Sequence, residues 1–152
     1  MRCAPGFVGC YNEILGTLCY VNAGHTPALL RDHSGITTLE PTGLPLGLFS
    51  HATHDAQMCA LPAHSALLLV SRGLVEAKSG GEEFGIERAK KSLVGASSTA
   101  AQEVCVKVLE DVKSFLENTA KRGLLRRGPG RPITETDPLG DNDATTLALV
   151  RG

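Results

Sequence analysis

This 152-residue sequence has no tryptophan, and aromatic residues make up only 4% of it. With so few flat side chains there is no platform on which unpaired bases would stack. Neither sign of charge dominates: 15 lysines and arginines stand against 16 aspartates and glutamates, a formal net charge of −1. The broad basic field that draws nucleic acid is absent, and so is an acidic tail. No apolar run approaches the length of a membrane span. The opening Met1-Arg2-Cys3-Ala4-Pro5-Gly6 lacks the long apolar centre of a signal peptide. These absences predict a cytoplasmic protein with neither membrane nor nucleic acid as partner. Cysteine is present but not in pairs. Cys3, Cys10, Cys19, Cys59 and Cys105 are odd in number and form no C-x-x-C, which excludes a disulfide framework or a zinc ribbon. Free, buried thiols in a reducing compartment are the expectation.

What is present fits one domain with a core of its own. The chain centres on Ala66 to Ala77. Leu67, Leu68, Leu69 and Val70 run straight into Ser71-Arg72-Gly73. A short apolar run ended by turn residues predicts a strand buried on both faces, and loops at strand ends are where a scaffold presents chemistry. Upstream, Phe7 to Leu15 and Leu18 to Val21 predict a hairpin turned at Gly16-Thr17. Ala28 to Leu30 and Ile36 to Leu39 predict a second hairpin, and His54 to Leu61 another strand. Downstream the period changes. Ile86, Ala89 and Leu93 predict a short helix. Thr99 and Gln102 fit a capping box, and Cys105, Val108, Leu109, Val112, Phe115 and Leu116 predict one face of a long helix. A basic Gly/Pro-rich loop is predicted over 121–141, followed by a closing strand, Thr145 to Val150. Strands, then helices, then a last strand define an α+β layered domain spanning 1–152. Within the loop, Arg126 to Pro132 has arginine, glycine and proline in the mix of a minor-groove hook, but the inserted Pro129-Gly130 breaks its core.

Several short segments then fall in a definite order: Tyr20-Val-Asn-Ala-Gly-His25-Thr-Pro27, Gly43-Leu-Pro-Leu-Gly47, Leu67 to Ala77, Glu83-Phe-Gly-Ile-Glu-Arg88, and Asp141-Asn-Asp-Ala-Thr-Thr-Leu-Ala-Leu-Val150. Each alone is unspecific. Together, and in this order, the series resembles the SpoIIE/RsbU-like branch of the PPM-type metal-dependent protein serine/threonine phosphatases, over nearly the whole chain from Phe7. The resemblance implies two antiparallel sheets stacked face to face with helices outside, an α-β-β-α sandwich that is incomplete in this chain. It also implies aspartates holding two Mg2+ or Mn2+ ions that activate a water against a phosphoserine or phosphothreonine. The implied substrate is a phosphoprotein of the anti-sigma-factor-antagonist type, in bacterial sigma-factor regulation.

The departures from the family pattern fall on its chemistry. The family's opening Asp and Ser-Gly-x-Gly metal motif has no counterpart here. The Thr-Asp-Gly of the family reads Ser71-Arg72-Gly73, so Arg72 replaces a metal-binding Asp with a cation that has no lone pair to donate. In the preferred alignment of the closing motif Asn142 stands at a metal-binding Asp and Asp143 beside it. In the other register Asp143 keeps that position and the second Asp is lost. Of the remaining family positions, His25, Gly73 and Glu76 are retained. His25 is expected to be a hydrogen-bonded loop residue rather than an acid or ligand. His33, His51, His54 and His64 are expected at the surface, and Glu76 and Glu83 as loop and cap groups. Arg72 is expected either to be solvated and pair locally with Glu76, four residues on, or to fill the vacant metal position against Asp143 or Asp141. An Arg there would also suit phosphate without hydrolysing it. The expected function is therefore a phosphatase domain impaired in catalysis. The alternatives are a partner- or phosphoprotein-binding remnant, an enzyme completed by another chain, and a truncated gene product. An uncovered sheet is expected to favour homo-oligomers.

Overall fold

The computed structural model describes residues 3–96, 100–125 and 146–151, with the side chains of 118–125 outside the description. The first half of the chain is antiparallel strand. The hairpin of β1 (Gly6–Asn12) and β2 (Thr17–Ala23) turns over Glu13 to Gly16. There the Asn12 side chain accepts the Leu15 amide at 2.9 Å, the local bond that makes Asn a turn residue. A second hairpin joins β3 (Ala28–Asp32) to β4 (Gly35–Leu39), and β5 (Gln57–Ala60) and β6 (Ala66–Val70) follow. A three-stranded sheet has the order β1-β2-β5, and a four-stranded sheet the order β4-β3-β6-β9, with β9 (Thr146–Val150) at its edge.

Alternation along the strands decides what lies between the layers. On one face of the large sheet, Ala28, Leu30 and Leu67 meet Leu18 and Tyr20 of the small sheet, with Leu39 and Leu61 closing the cluster. The Phe7 ring stacks on Tyr20, centroids 5.4 Å apart. On the other face, Leu29, Ala66, Leu68 and Val70 meet the helices. Strand β6 is thus sandwiched between two cores, as its continuous apolar run predicts.

Helix α2 (Gly85–Gly95) buries Ala89, Ser92 and Leu93. Helix α3 (Ala101–Leu125) buries Val104, Val108, Val112 and Leu116. Arg31 of β3 donates from Nη1 to the Leu93 carbonyl at 2.8 Å and also to that of Ala96. This satisfies carbonyls left over at the end of α2 and sets a cation where the helix dipole is negative. The Arg88 guanidinium lies 4.6 Å from the centre of the Phe115 ring and links α2 to α3.

Several sequence expectations need correction. The long-helix stripe is displaced: Val104 is in the core, whereas Leu109 is 40% exposed and Cys105 only half-buried. The buried face is the row Val104, Val108, Val112 and Leu116, every fourth residue, and Cys105 and Leu109 lie on its flank. The cysteines are free, but none is buried. Cys3, Cys10 and Cys19 are exposed and Cys59 and Cys105 intermediate. Helix α3 runs through Lys121 to Leu125, where loop was predicted, and the remainder of that loop and the capping residue Thr99 lie outside the described residues. A small hairpin, β7 (Lys78–Ser79) with β8 (Glu82–Glu83), escaped notice because each arm is too short to show a period. His33, His51 and His64 are exposed, as expected, and His54 is intermediate.

Candidate functional site

Three of the motifs scattered along the sequence, those of Tyr20–Pro27, Gly43–Gly47 and Leu67–Ala77, meet where β2 and β6 end. The turn from β2 into β3 is built on Asn22, which is fully buried. Its Oδ1 accepts the His25 amide at 2.8 Å, and its Nδ2 donates to the Thr26 carbonyl at 3.4 Å. Its backbone carbonyl accepts the amides of Thr42 at 2.8 Å and Gly43 at 3.2 Å, and the Thr42 hydroxyl accepts the Asn22 amide at 3.0 Å. One buried side chain thereby shapes the Gly24-His25 turn, while its backbone ties that turn to the Gly43–Gly47 loop. A buried polar group with this many partners is stable only because each is satisfied. The approach of the two segments is close. Gly24 sits at φ +69°, and a β-carbon there would stand 2.5 Å from Pro45.

Thr26 then reaches across to β6, where its hydroxyl donates to the Val70 carbonyl at the end of that strand. The next residue, Ser71, caps a one-turn helix, α1 (Arg72–Val75), accepting the Leu74 amide on its hydroxyl at 3.4 Å. This corrects the plain turn expected at Ser71-Arg72-Gly73. A Ser before three helical residues is an N-cap signal, hidden in the sequence by the glycine at position 73. Leu74 is fully buried and pins the helix to the core. Thr146, the first residue of β9, lies opposite Val70.

Arg72 is therefore placed at the exposed mouth of this end. Its Nε donates to Glu76 at 2.6 Å, and its side chain is 79% exposed. The hydrogen bond from Arg72 to the Glu76 carboxylate, with the attraction between their charges, raises the guanidinium's already high pKa. Of the two expected roles for Arg72, local pairing with Glu76 is the one the structure shows, four residues apart along α1 and its cap. Gly73 lies inside that helix. Asn142, Asp143 and Asp141 lie outside the described residues. His25 is half-buried and engaged locally: its Nδ1 lies 3.0 Å from the Thr26 carbonyl and 3.1 Å from the Thr26 hydroxyl. Glu83 is in β8, paired with Lys78 at 3.2 Å, rather than in a cap.

Mg2+ or Mn2+ needs several oxygen ligands, usually with two or more carboxylates among them. Among the described residues no group of three His, Cys, Asp or Glu side chains is placed to hold such an ion. Arg72, where the resemblance puts a ligand, offers donors only. The described residues do not fit the two-metal centre.

Sequence reasoning singled out His25 and passed over Asn22 and Thr26, which do the positioning. The signal was there: an Asn two residues before a Gly, in a strand otherwise apolar on its inner side, demands a buried partner for its amide.

The layering and topology are those of PP2C phosphatase domains. The chain is similar to the phosphatase domain of the cell fate determinant SpoIIE from Bacillus subtilis, with 16% identity and a TM-score of 0.63 over 97% of this chain and 56% of that one. It is similar to the RsbU and RsbW domains of Rv1364c from Mycobacterium tuberculosis, with 25% identity and a TM-score of 0.65 over 93% of this chain and 34% of that one. The SiaA-PP2C domain of Pseudomonas aeruginosa matches with 16% identity and a TM-score of 0.56, over 91% of this chain and 48% of that one. The chain thus spans about half the length of these structures, or less. No curated protein matches it. The family model described as Stage II sporulation protein E (SpoIIE) matches residues 2–122, and the chain belongs to that family. Among the described residues no helix is long and apolar enough to cross a membrane.

Proposed function

We propose that this chain is a SpoIIE/RsbU-like phosphatase domain that engages a phosphoprotein of the anti-sigma-factor-antagonist type in the cytoplasm, and that it is impaired in hydrolysis. The observation that carries this reading is the Arg72–Glu76 pair. Arg72 stands where the resemblance implies a metal ligand, and among the described residues Glu76 is the carboxylate paired with it. A guanidinium suits phosphoryl oxygens, which it can bind through two parallel N–H donors. It cannot activate water, which at neutral pH needs a metal or a base. Binding without turnover follows.

The test is a Mn2+ titration by calorimetry, alongside hydrolysis of a phosphoserine peptide. No saturable Mn2+ binding and no turnover above the buffer rate are expected. Tight Mn2+ binding with hydrolysis overturns the reading. A single Arg72→Asp substitution is expected not to restore turnover, because Asn142 occupies a second metal position in the preferred alignment. Rescue by that one change would show that the site is complete but for Arg72.

The β9 side of the large sheet supports self-association. Among the described residues β9 is an unpaired edge, and Leu147 and Leu149, 63% and 39% exposed, lie on the face that elsewhere meets the small sheet. A free edge beside apolar side chains is a template for a second copy. Light scattering is expected to show a mass rising with concentration, and Leu147→Lys is expected to return it to the monomer value. A strict monomer at high concentration removes this part of the reading.

A further inference from the structure

The outer face of the small sheet has a feature that the phosphatase reading does not use. In the β1–β2 register Cys10 stands directly opposite Cys19. Residues opposite one another in antiparallel strands project to the same face. Here that face is the outer one, because the alternate residues Tyr11, Leu18 and Tyr20 point into the inter-sheet core. Both thiols are free and exposed. Cα atoms of directly opposed residues are about 4.5 or 5.5 Å apart, depending on which kind of pair they form. Both values lie within the roughly 4.4–6.8 Å span of disulfides. Cys3, the other exposed thiol, is outside the strand pairing. Cys59 is half-buried on the inner face, and desolvation pushes its thiol pKa up, which keeps it protonated and slow to react.

We propose that Cys10 and Cys19 form a reversible intrachain disulfide across the β1–β2 hairpin, a redox modification site on the outer face of the small sheet. Hydrogen peroxide is the oxidant. One thiolate attacks a peroxide oxygen; the S–O bond forms, the O–O bond breaks, and the departing hydroxide takes up a proton as water. The second thiolate attacks the resulting sulfenic sulfur, forming the S–S bond and releasing a second hydroxide, which is protonated in turn. Two thiols and one peroxide give one disulfide and two waters. A low-molecular-weight thiol reverses the step by exchange. An exposed cross-strand bridge is open to such attack, unlike a buried structural one. The bridge closes a short loop and restricts the unfolded chain, so the oxidised protein is the more heat-stable form.

Glu13 lies between the two cysteines, so cleavage after it separates them. Dilute monomer in a Cys3→Ser background is treated with hydrogen peroxide, alkylated, and digested after arginine and after glutamate without reduction. The fragments 3–13 and 14–31 are expected to stay linked, in a monomer lighter by two hydrogens, with Cys59 in a separate fragment. The Tm is expected to rise by about 5 °C and to fall back on addition of dithiothreitol. Cys10→Ser and Cys19→Ser are each expected to abolish the linkage while leaving the reduced Tm unchanged, since both positions are exposed. Linkage to Cys59, disulfide-bonded dimers, or oxygen gained at Cys10, Cys19 or the neighbouring Met58 without any bridge would each overturn the proposal.

Discussion

Gly24→Ala is expected to lower stability by ~3 kcal/mol, with a corresponding fall in Tm. Two independent costs combine at this residue. Its φ of +69° is a left-handed conformation that costs a side chain roughly 1–2 kcal/mol. A β-carbon would also stand 2.5 Å from two ring atoms of Pro45 and 2.8 Å from its backbone nitrogen. A proline ring cannot rotate away, so the Gly43–Gly47 loop must shift, at a cost typical of overpacking, about 1–3 kcal/mol. Gly81→Ala is the control, since Gly81 has φ +88° and no atom within 4 Å of the added carbon. It is expected to lose only the conformational part, about 1–2 kcal/mol. Equal losses for the two variants, measured by thermal melting, would show that the contact between the two loops does not constrain the turn. The turn carries His25 and Thr26, so the same variant is expected to disturb the bond from Thr26 to Val70 and with it the start of α1.

Leu68→Ala is expected to lower stability by about 2–5 kcal/mol, at the scale of a buried large-to-small change. Leu68 is fully buried, pairs with Leu29 on one side and Ala148 on the other, and packs into the helix-side core. With strands flanking it and helices above, the site has little freedom to collapse, so much of the cavity persists. Against a total stability typically of 5–15 kcal/mol, such a loss is visible as a large drop in the urea midpoint with an unchanged slope. Leu147→Ala, in the edge strand and 63% exposed, is expected to cost well under 1 kcal/mol. If the two substitutions cost the same, β6 is not the strand on which both cores are built.

Both predictions concern features that the sequence showed unequally. The β6 strand was legible at once. An apolar run with no polar alternation has only one stable placement, between two layers, and Leu67 and Leu68 do face opposite cores. The two larger hairpins were legible from Gly16 and from the turn at His33 to Gly35. The order of the motifs was enough to place the chain in its family. The Gly24–Pro45 contact was not legible, because nothing in either segment alone says that the other lies against it.

The sequence by itself determined that strands precede helices and that one strand is buried on both sides, and it put Arg72 directly after that strand, where the resemblance implies an acidic ligand. Those conclusions rest on side-chain chemistry and local period, which are written in the chain. Only the tertiary structure decided that Asn22 holds two loops together, that Arg72 belongs to a capped helix and pairs with Glu76, and that Cys10 faces Cys19 on an open surface. These depend on register, burial and the approach of segments far apart in sequence. Such approaches are set by how whole layers pack, and local propensity is silent about them.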